Sequence, residues 1–238
     1  MRKLPASVYT SILVTGIVVL FNSCSKEHGS KTESLPGISP TVNPIPYSTI
    51  VYLIKPTDKT WNVDYYNAAK SSMLELKDWY KQQLGGKTFI LNPVIIDTLS
   101  GLHDATWYDS NNGDSLGYTG DAHAYYNIKY ELKQILGAKY DTTNYRYFAF
   151  VQSDFPEQTL PGSLGVEGET CLEGLTGSNA NSWKGSSAHA LGHAYGLFDC
   201  NPTDDQAMMS TGRWKYPNCI ILPAEKDALN AIPFFKAP

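Results

Sequence analysis

Apolar residues recur along this chain in two rhythms, and each rhythm predicts a kind of element. Ser48–Ile54 is a short apolar run rich in β-branched residues and predicts a first strand. Asp64–Leu84 carries Tyr65, Ala69, Met73, Leu76 and Tyr80 at intervals of three or four, which is helical spacing; Gly85-Gly86 stops it. Thr88–Leu91 and Val94–Asp97 read as one or two strands on either side of Pro93. Residues 98–120 are polar and turn-rich. Asp121–Leu136 predicts a second helix, with Tyr125, Ile128, Leu132 and Ile135 on one face and Gly137 at its end. Tyr145–Val151 is a strong strand; residues 156–182 read as a glycine-rich loop. A short helix, a loop and a last helix near Ala224–Ala231 complete the chain. Strands alternating with helices early, then helices late, imply an α+β (α/β-like) domain with a mixed sheet over residues 48–238.

The first 23 residues follow neither rhythm. Arg2 and Lys3 precede an almost wholly apolar run from Ile12 to Phe21, too short to span a bilayer and matched to a signal peptide. The run ends at Phe21-Asn22-Ser23-Cys24, which resembles the lipobox of bacterial lipoproteins; Asn22 is a departure from that pattern. The resemblance implies that Cys24 is acylated, becomes the mature N-terminus and holds the protein in the cell envelope, facing the periplasm or the surface. Residues 24–47, polar and interrupted by Pro36, Pro40, Pro44 and Pro46, have the composition of a flexible tether. Contact with the membrane is expected through that anchor alone.

The chain carries 19 basic and 23 acidic residues, net −4, without a basic cluster, so nucleic acid is not an expected partner. Export permits disulfides. Beyond Cys24 there are three cysteines, and Cys200 with Cys219, which flank one loop, is the preferred pair; Cys171 in place of either is the alternative.

The chemistry is concentrated in Ser187-Ala-His-Ala-Leu-Gly-His-Ala-Tyr-Gly-Leu-Phe-Asp199. His189 and His193, four apart, lie one helical turn apart on one face, where both imidazoles reach a single ion. Gly196 lets the chain turn sharply, and Asp199 can swing back as a third ligand.

This segment resembles the metzincin clan of zinc peptidases, whose motif is H-E-x-x-H-x-x-G-x-x-H/D. His189, His193, Gly196 and Asp199 are in register with it. The resemblance implies a zincin-like domain with an active-site helix, a methionine turn beneath the metal and a C-terminal helix. It implies zinc as cofactor, held by His189, His193 and Asp199, and peptide or protein as substrate, with the protein acting as a monomer. Met209 is the expected turn methionine, with Met208 the near alternative. Tyr216 is a weaker candidate for the tyrosine that some members place after that turn.

One position departs from the pattern. Where the motif has its general-base glutamate, this chain has Ala190. Alanine accepts no proton, and general acid–base catalysis contributes roughly 10²- to 10⁴-fold, so activity is expected to be absent or strongly impaired. Metal binding is not affected, because that glutamate is not a ligand. The alternative is a binding module that holds a peptide without cutting it. The alanine is read as encoded, since the chain keeps its leader; a deliberate replacement is the other account. Glu167, Glu169 and Glu173 are carboxylates that could reach the site but are read as a solvated loop face. His103 and His123 are read as surface or helix-face histidines.

Overall fold

The computed structural model describes residues 44–200 and 202–237; the leader, Cys24 and nearly all of the tether lie outside the described residues. β1 (Ser48–Lys55) forms the spine of the sheet. It pairs in parallel with β4 (Tyr145–Val151) along its length, from Ser48 opposite Tyr145 to Ile54 opposite Val151. Two short strands share its other edge. β2 (Thr88–Leu91) takes the start of β1 and β3 (Asp97–Ser100) takes its end, with Tyr52 opposite Asp97. β5 (Leu164–Glu167) adds in parallel to β4, and β6 (Phe235–Lys236) adds antiparallel to β2, so the sheet is mixed as expected.

The alternation of side chains along β1 and β4 sends residues to two different cores. Ile50, Tyr52, Ile54, Tyr147, Ala149 and Val151 meet α4 (His123–Leu136) through Tyr125, Ile128 and Leu132. Val51, Leu53, Phe148 and Phe150 meet the opposite core, built from α1 (Val63–Gln83), α5 (Glu169–Thr176), α6 (Ala180–Ala194) and α7 (Pro223–Ala231). A strand covered on both faces is apolar throughout rather than alternating, which is why both strands read as continuous apolar runs. The helix at 63–83 begins on Asn62, whose side chain accepts from the backbone of Asp64 and Tyr65.

Three expectations shift. The strand expected at Val94–Asp97 lies at Asp97–Ser100, because pairing with β1 begins only at Asp97. The stretch 98–120, expected as loop, also holds α2 (Ala105–Asp109), capped by the Asp104 side chain, and α3 (Gly113–Leu116). The glycine-rich stretch 156–182 holds β5 and α5. These elements are four to eight residues long, too short for periodicity to declare them. Among the described residues no helix is long and apolar enough to cross a membrane.

Candidate metal centre

α6 carries the motif, and its composition explains how the rest of the site closes on it. From Gly185 to Ala194 every residue is buried, and most are small: Gly185, Ser186, Ser187, Ala188, Ala190, Gly192 and Ala194. Gly185 and Gly192, two turns apart, share a face. A Cβ on Gly192 would stand 2.3 Å from Met209 Sδ, and one on Gly185 would stand 1.9 Å from the Arg213 carbonyl oxygen. The bare backbone at both points lets the segment from Ala207 to Tyr216 lie directly on the helix. Met208 and Met209 are fully buried there.

That approach fixes the histidines. The Met208 carbonyl accepts from His189 Nδ1 at 3.0 Å, and the Leu197 carbonyl accepts from His193 Nδ1 at 2.8 Å. A carbonyl can only accept, so each ring carries its proton on Nδ1 and presents a bare Nε2. Gly196, at φ +91°, supplies the left-handed step that turns the chain back after α6. Leu197 can then accept from His193, and Asp199 returns to the rings. Asp199 Oδ1 lies 3.3 Å from His189 Nε2 and 3.6 Å from His193 Nε2, and its side chain is 71 % exposed, so this side of the centre faces solvent.

The two Nε2 atoms are 3.0 Å apart. Two lone pairs aimed at each other across that distance repel, and a cation between them turns the repulsion into attraction. Donors around a tetrahedral zinc at ~2.0–2.2 Å stand roughly 3.3–3.6 Å from one another. The Asp199 oxygen's separations from the two rings, 3.3 and 3.6 Å, match that figure, and the two ring nitrogens, 3.0 Å apart, stand slightly closer. Proton affinity fits as well. Burial, helped by the Arg213 charge and by His193, lowers the His189 pKa to about 3; burial likewise lowers that of His193. Both rings are neutral at neutral pH, the form that binds a metal.

A fourth group reaches the centre from a segment that sequence reasoning passed over. Glu157, in the connection between β4 and β5, places Oε1 3.8 Å from His189 Nε2, with its side chain only 12 % exposed. One ligand atom each from Glu157, His189 and His193 falls within 4.8 Å of the others. Glu157 Oε2 accepts from Ser186 Oγ at 3.3 Å and faces Arg213 at 3.7 Å. Burial first, then repulsion from Glu167, raises the Glu157 pKa to about 8, with Arg213 opposing. Glu167 is fully buried at the end of β5 and accepts from Ser187 Oγ at 2.6 Å; burial raises its pKa to about 7. The sequence offered no local spacing that ties residue 157 to residue 189; the tie is made by the fold.

Several expectations are corrected here. Cys200 and Cys219 are both free thiols rather than a disulfide. Cys200 Sγ instead donates to Glu225 Oε1 at 3.3 Å, while Cys219 is turned into the core. Cys171 is likewise free and buried. Glu167 is not on a solvated face. Glu169 sits in the first turn of α5 and pairs with Lys59 at 2.7 Å, and Glu173 is exposed. The Tyr216 hydroxyl is directed at Glu75, 3.2 Å away, and its ring packs on Trp79, so it has no part in the centre. His103 stacks on Trp107 and His123 opens α4.

Ala190 is fully buried in the core on the α1 side of the sheet, so α6 offers no carboxylate to the centre. On the Asp199 side of the centre a cavity of about 200 Å³ is lined by Asp199, Cys200, Thr203, Met209, Ser210, Thr211 and Arg213.

No protein-family model matches the sequence, and no curated protein matches it either. Solved structures do. OgpA from Akkermansia muciniphila superposes with a TM-score of 0.57 at 16 % identity, over 87 % of this chain and 66 % of that one. A catalytically inactive OgpA in complex with an O-glycopeptide substrate gives 0.55 at 17 % identity, over 87 % and 65 %. Archaemetzincin from Methanopyrus kandleri gives 0.41 at 15 % identity, over 77 % and 94 %. The chain spans just under two thirds of the length of the Akkermansia structures. It shares its α+β fold with the Akkermansia structures.

Proposed function

We propose that this chain is a zinc-centred, peptidase-like protein of the bacterial cell envelope that engages peptide or glycopeptide chains at His189, His193 and Asp199. The observation that carries the reading is the pair of bare Nε2 atoms 3.0 Å apart, each ring locked by a carbonyl behind it, with a carboxylate oxygen completing the triangle. Orienting carbonyls of this kind are the support that metal-ligating histidines commonly have. When bound there, zinc supplies Lewis acidity, polarising a carbonyl oxygen and acidifying water.

The chain's own residues do the rest. The two rings and Asp199 hold the ion; Met208 and Leu197 hold the rings; Met209, pressed on Gly192, sets the depth of the floor. The Val166 amide donates to Thr159 Oγ1 and its carbonyl accepts from the Gln158 amide, so β5 is covered at Val166. A ligand lying along this side of the sheet therefore meets the segment carrying Glu157 rather than β5 itself. A glycopeptide is favoured as one ligand class by the fold shared with OgpA, which has been seen with an O-glycopeptide.

A second reading, binding without cleavage, is favoured by Ala190 alone. The envelope location rests on the leader and Cys24: Cys24→Ser is expected to move the protein from the membrane fraction to the soluble one, and retention in the membrane fraction refutes the anchor.

Zinc measured on the purified protein tests the centre. One ion per chain is expected, falling to none in His193→Ala with the fold intact by circular dichroism. A folded wild-type chain that takes up no zinc at neutral pH sinks the proposal.

A further inference from the structure

The helix that should supply the proton acceptor presents alanine, yet a carboxylate stands at the same centre, delivered from elsewhere. We propose that Glu157 is the catalytic carboxylate of this site, doing from the β4–β5 connection what residue 190 cannot do from α6. The inference rests on the metal-centred reading above and deepens it, since it makes the protein a working hydrolase.

Three observations carry it. The first is reach. Glu157 Oε1 is 3.8 Å from His189 Nε2, farther than the 3.3 Å at which Asp199 stands. Ligands of one tetrahedral zinc sit roughly 3.3–3.6 Å apart. Asp199 has ligand spacing; Glu157 stands 0.5 Å farther from the same nitrogen, within reach of water held at the centre.

The second is rigidity. A catalytic group needs a fixed position, and a loop carboxylate ordinarily lacks one. This loop is pinned on every side. Phe155 is buried two residues before Glu157. Gln158 Oε1 accepts from the Ala124 amide at 2.9 Å, Thr159 Oγ1 accepts from the Val166 amide at 2.9 Å, and the Gly162 amide donates to the His193 carbonyl at 2.9 Å. The last bond ties the loop to the motif helix itself.

The third is that the other oxygen is spoken for. Glu157 Oε2 takes Ser186 Oγ at 3.3 Å and faces the Arg213 guanidinium at 3.7 Å. A carboxylate held at one oxygen by a hydroxyl and a cation leaves its second oxygen, Oε1, turned to the histidines. Ser186 lies three residues before His189 on α6 and Arg213 lies on the segment pressed against Gly185, so the same packing that builds the metal centre aims Glu157.

The chemistry balances without a further reactant. Water attacks the scissile carbonyl carbon, forming a C–O bond as Glu157 Oε1 takes one of its protons. The C–N bond then breaks, and Glu157 returns that proton to the departing nitrogen. The products are an amine and a carboxylic acid, which loses its remaining proton to solvent. Glu157 ends as it began.

The experiment uses the full chain with zinc added, as wild type, Glu157→Gln, and Glu157→Gln combined with Ala190→Glu. Zinc content and thermal midpoint come first, then titration with acetohydroxamic acid, a weak acid that chelates a cation and leaves its proton on a neighbouring carboxylate. Hydrolysis of a mixed pool of peptides and O-glycopeptides is measured by mass spectrometry. Expected is one zinc in every variant. In Glu157→Gln, hydroxamate affinity is expected to fall by about tenfold or more, and hydrolysis, present in wild type, to fall by roughly 10²-fold or more. The double variant is expected to regain part of both, because the helix then supplies the group the loop has lost. Unchanged hydroxamate affinity in a folded, zinc-loaded Glu157→Gln overturns the proposal. So does loss of zinc from that variant, which makes Glu157 a ligand instead, and so does a zinc-loaded wild type that hydrolyses nothing in the pool. Absence of zinc from wild type is a separate failure, that of the centre.

Discussion

At the scale of single residues, two glycines decide whether the centre can exist. Glycine in a helix costs about 0.5–1 kcal/mol relative to alanine, so replacing one should ordinarily stabilise. At Gly192 and Gly185 the gain is opposed by overpacking, typically ~1–3 kcal/mol and at times more. The obstacle differs between them. A Cβ at Gly192 meets the sulfur of Met209, a side chain with several rotatable bonds, whereas a Cβ at Gly185 meets the backbone oxygen of Arg213. A thioether can repack; a carbonyl moves only with its segment. Gly185→Ala is therefore expected to lower stability by more than Gly192→Ala, both measured as shifts of the urea midpoint. Zinc affinity should fall in both, since the Met208 carbonyl and the Arg213 guanidinium ride on the displaced segment. Equal or opposite ranking of the two variants would show that the segment does not rest on α6 in this way.

At the scale of elements, the sheet and the long helices were legible and the short connections were not. β1 and β4 are apolar runs of seven residues or more, α1 and α4 repeat a helical period over longer stretches, and the structure places all four within a residue or two of expectation. The motif on α6 was legible for a different reason: its ligands are local, so their spacing alone states that they share a face. Glu157 and Glu167 were not legible, because a carboxylate becomes a site residue only when a distant helix arrives beside it. Reading Glu167 as solvated failed because β5 is four residues long and its burial comes from α6, not from its own pattern. The expected disulfide failed similarly: two cysteines on one loop say nothing of where their side chains point. α1 supports α6 from behind through Tyr80, fully buried, whose hydroxyl donates to the Ala188 carbonyl at 2.8 Å. Tyr80→Phe removes that donor with little change of shape and is expected to cost about 0.5–1.5 kcal/mol in equilibrium denaturation. A neutral result would mean that the helix pair is held by apolar packing alone.

At the scale of the whole molecule, the buried titratable groups pull stability in opposite directions with pH, and the metal decides between them. In the metal-free protein His189 ionises at about 3 when folded against 6.5 in a solvated chain, and His193 is shifted the same way. Between those values the unfolded chain binds protons that the folded one refuses, so stability rises with pH across about 3 to 6.5. In the same metal-free state Glu157 and Glu167 run the other way; a cation at the centre would favour the ionised form of Glu157. Their pKa values are raised from 4.5 to about 8 and about 7, so the folded chain keeps protons that the unfolded one has lost. Stability from these groups declines as pH climbs from about 4.5 to 8. The sum is a plateau between about pH 4.5 and 6.5, with loss on either side. Zinc binds only deprotonated ligands and stabilises the folded state by mass action, so its contribution grows toward neutral pH. Thermal midpoints recorded from pH 3 to 9 should therefore peak in mild acid in the presence of chelator. With zinc the peak should move to neutral pH, where the chelated protein is past its best. A midpoint that rises steadily to pH 8 in chelator would mean that the two buried carboxylates do not hold their protons, and the polar cluster behind the centre would have to be drawn differently.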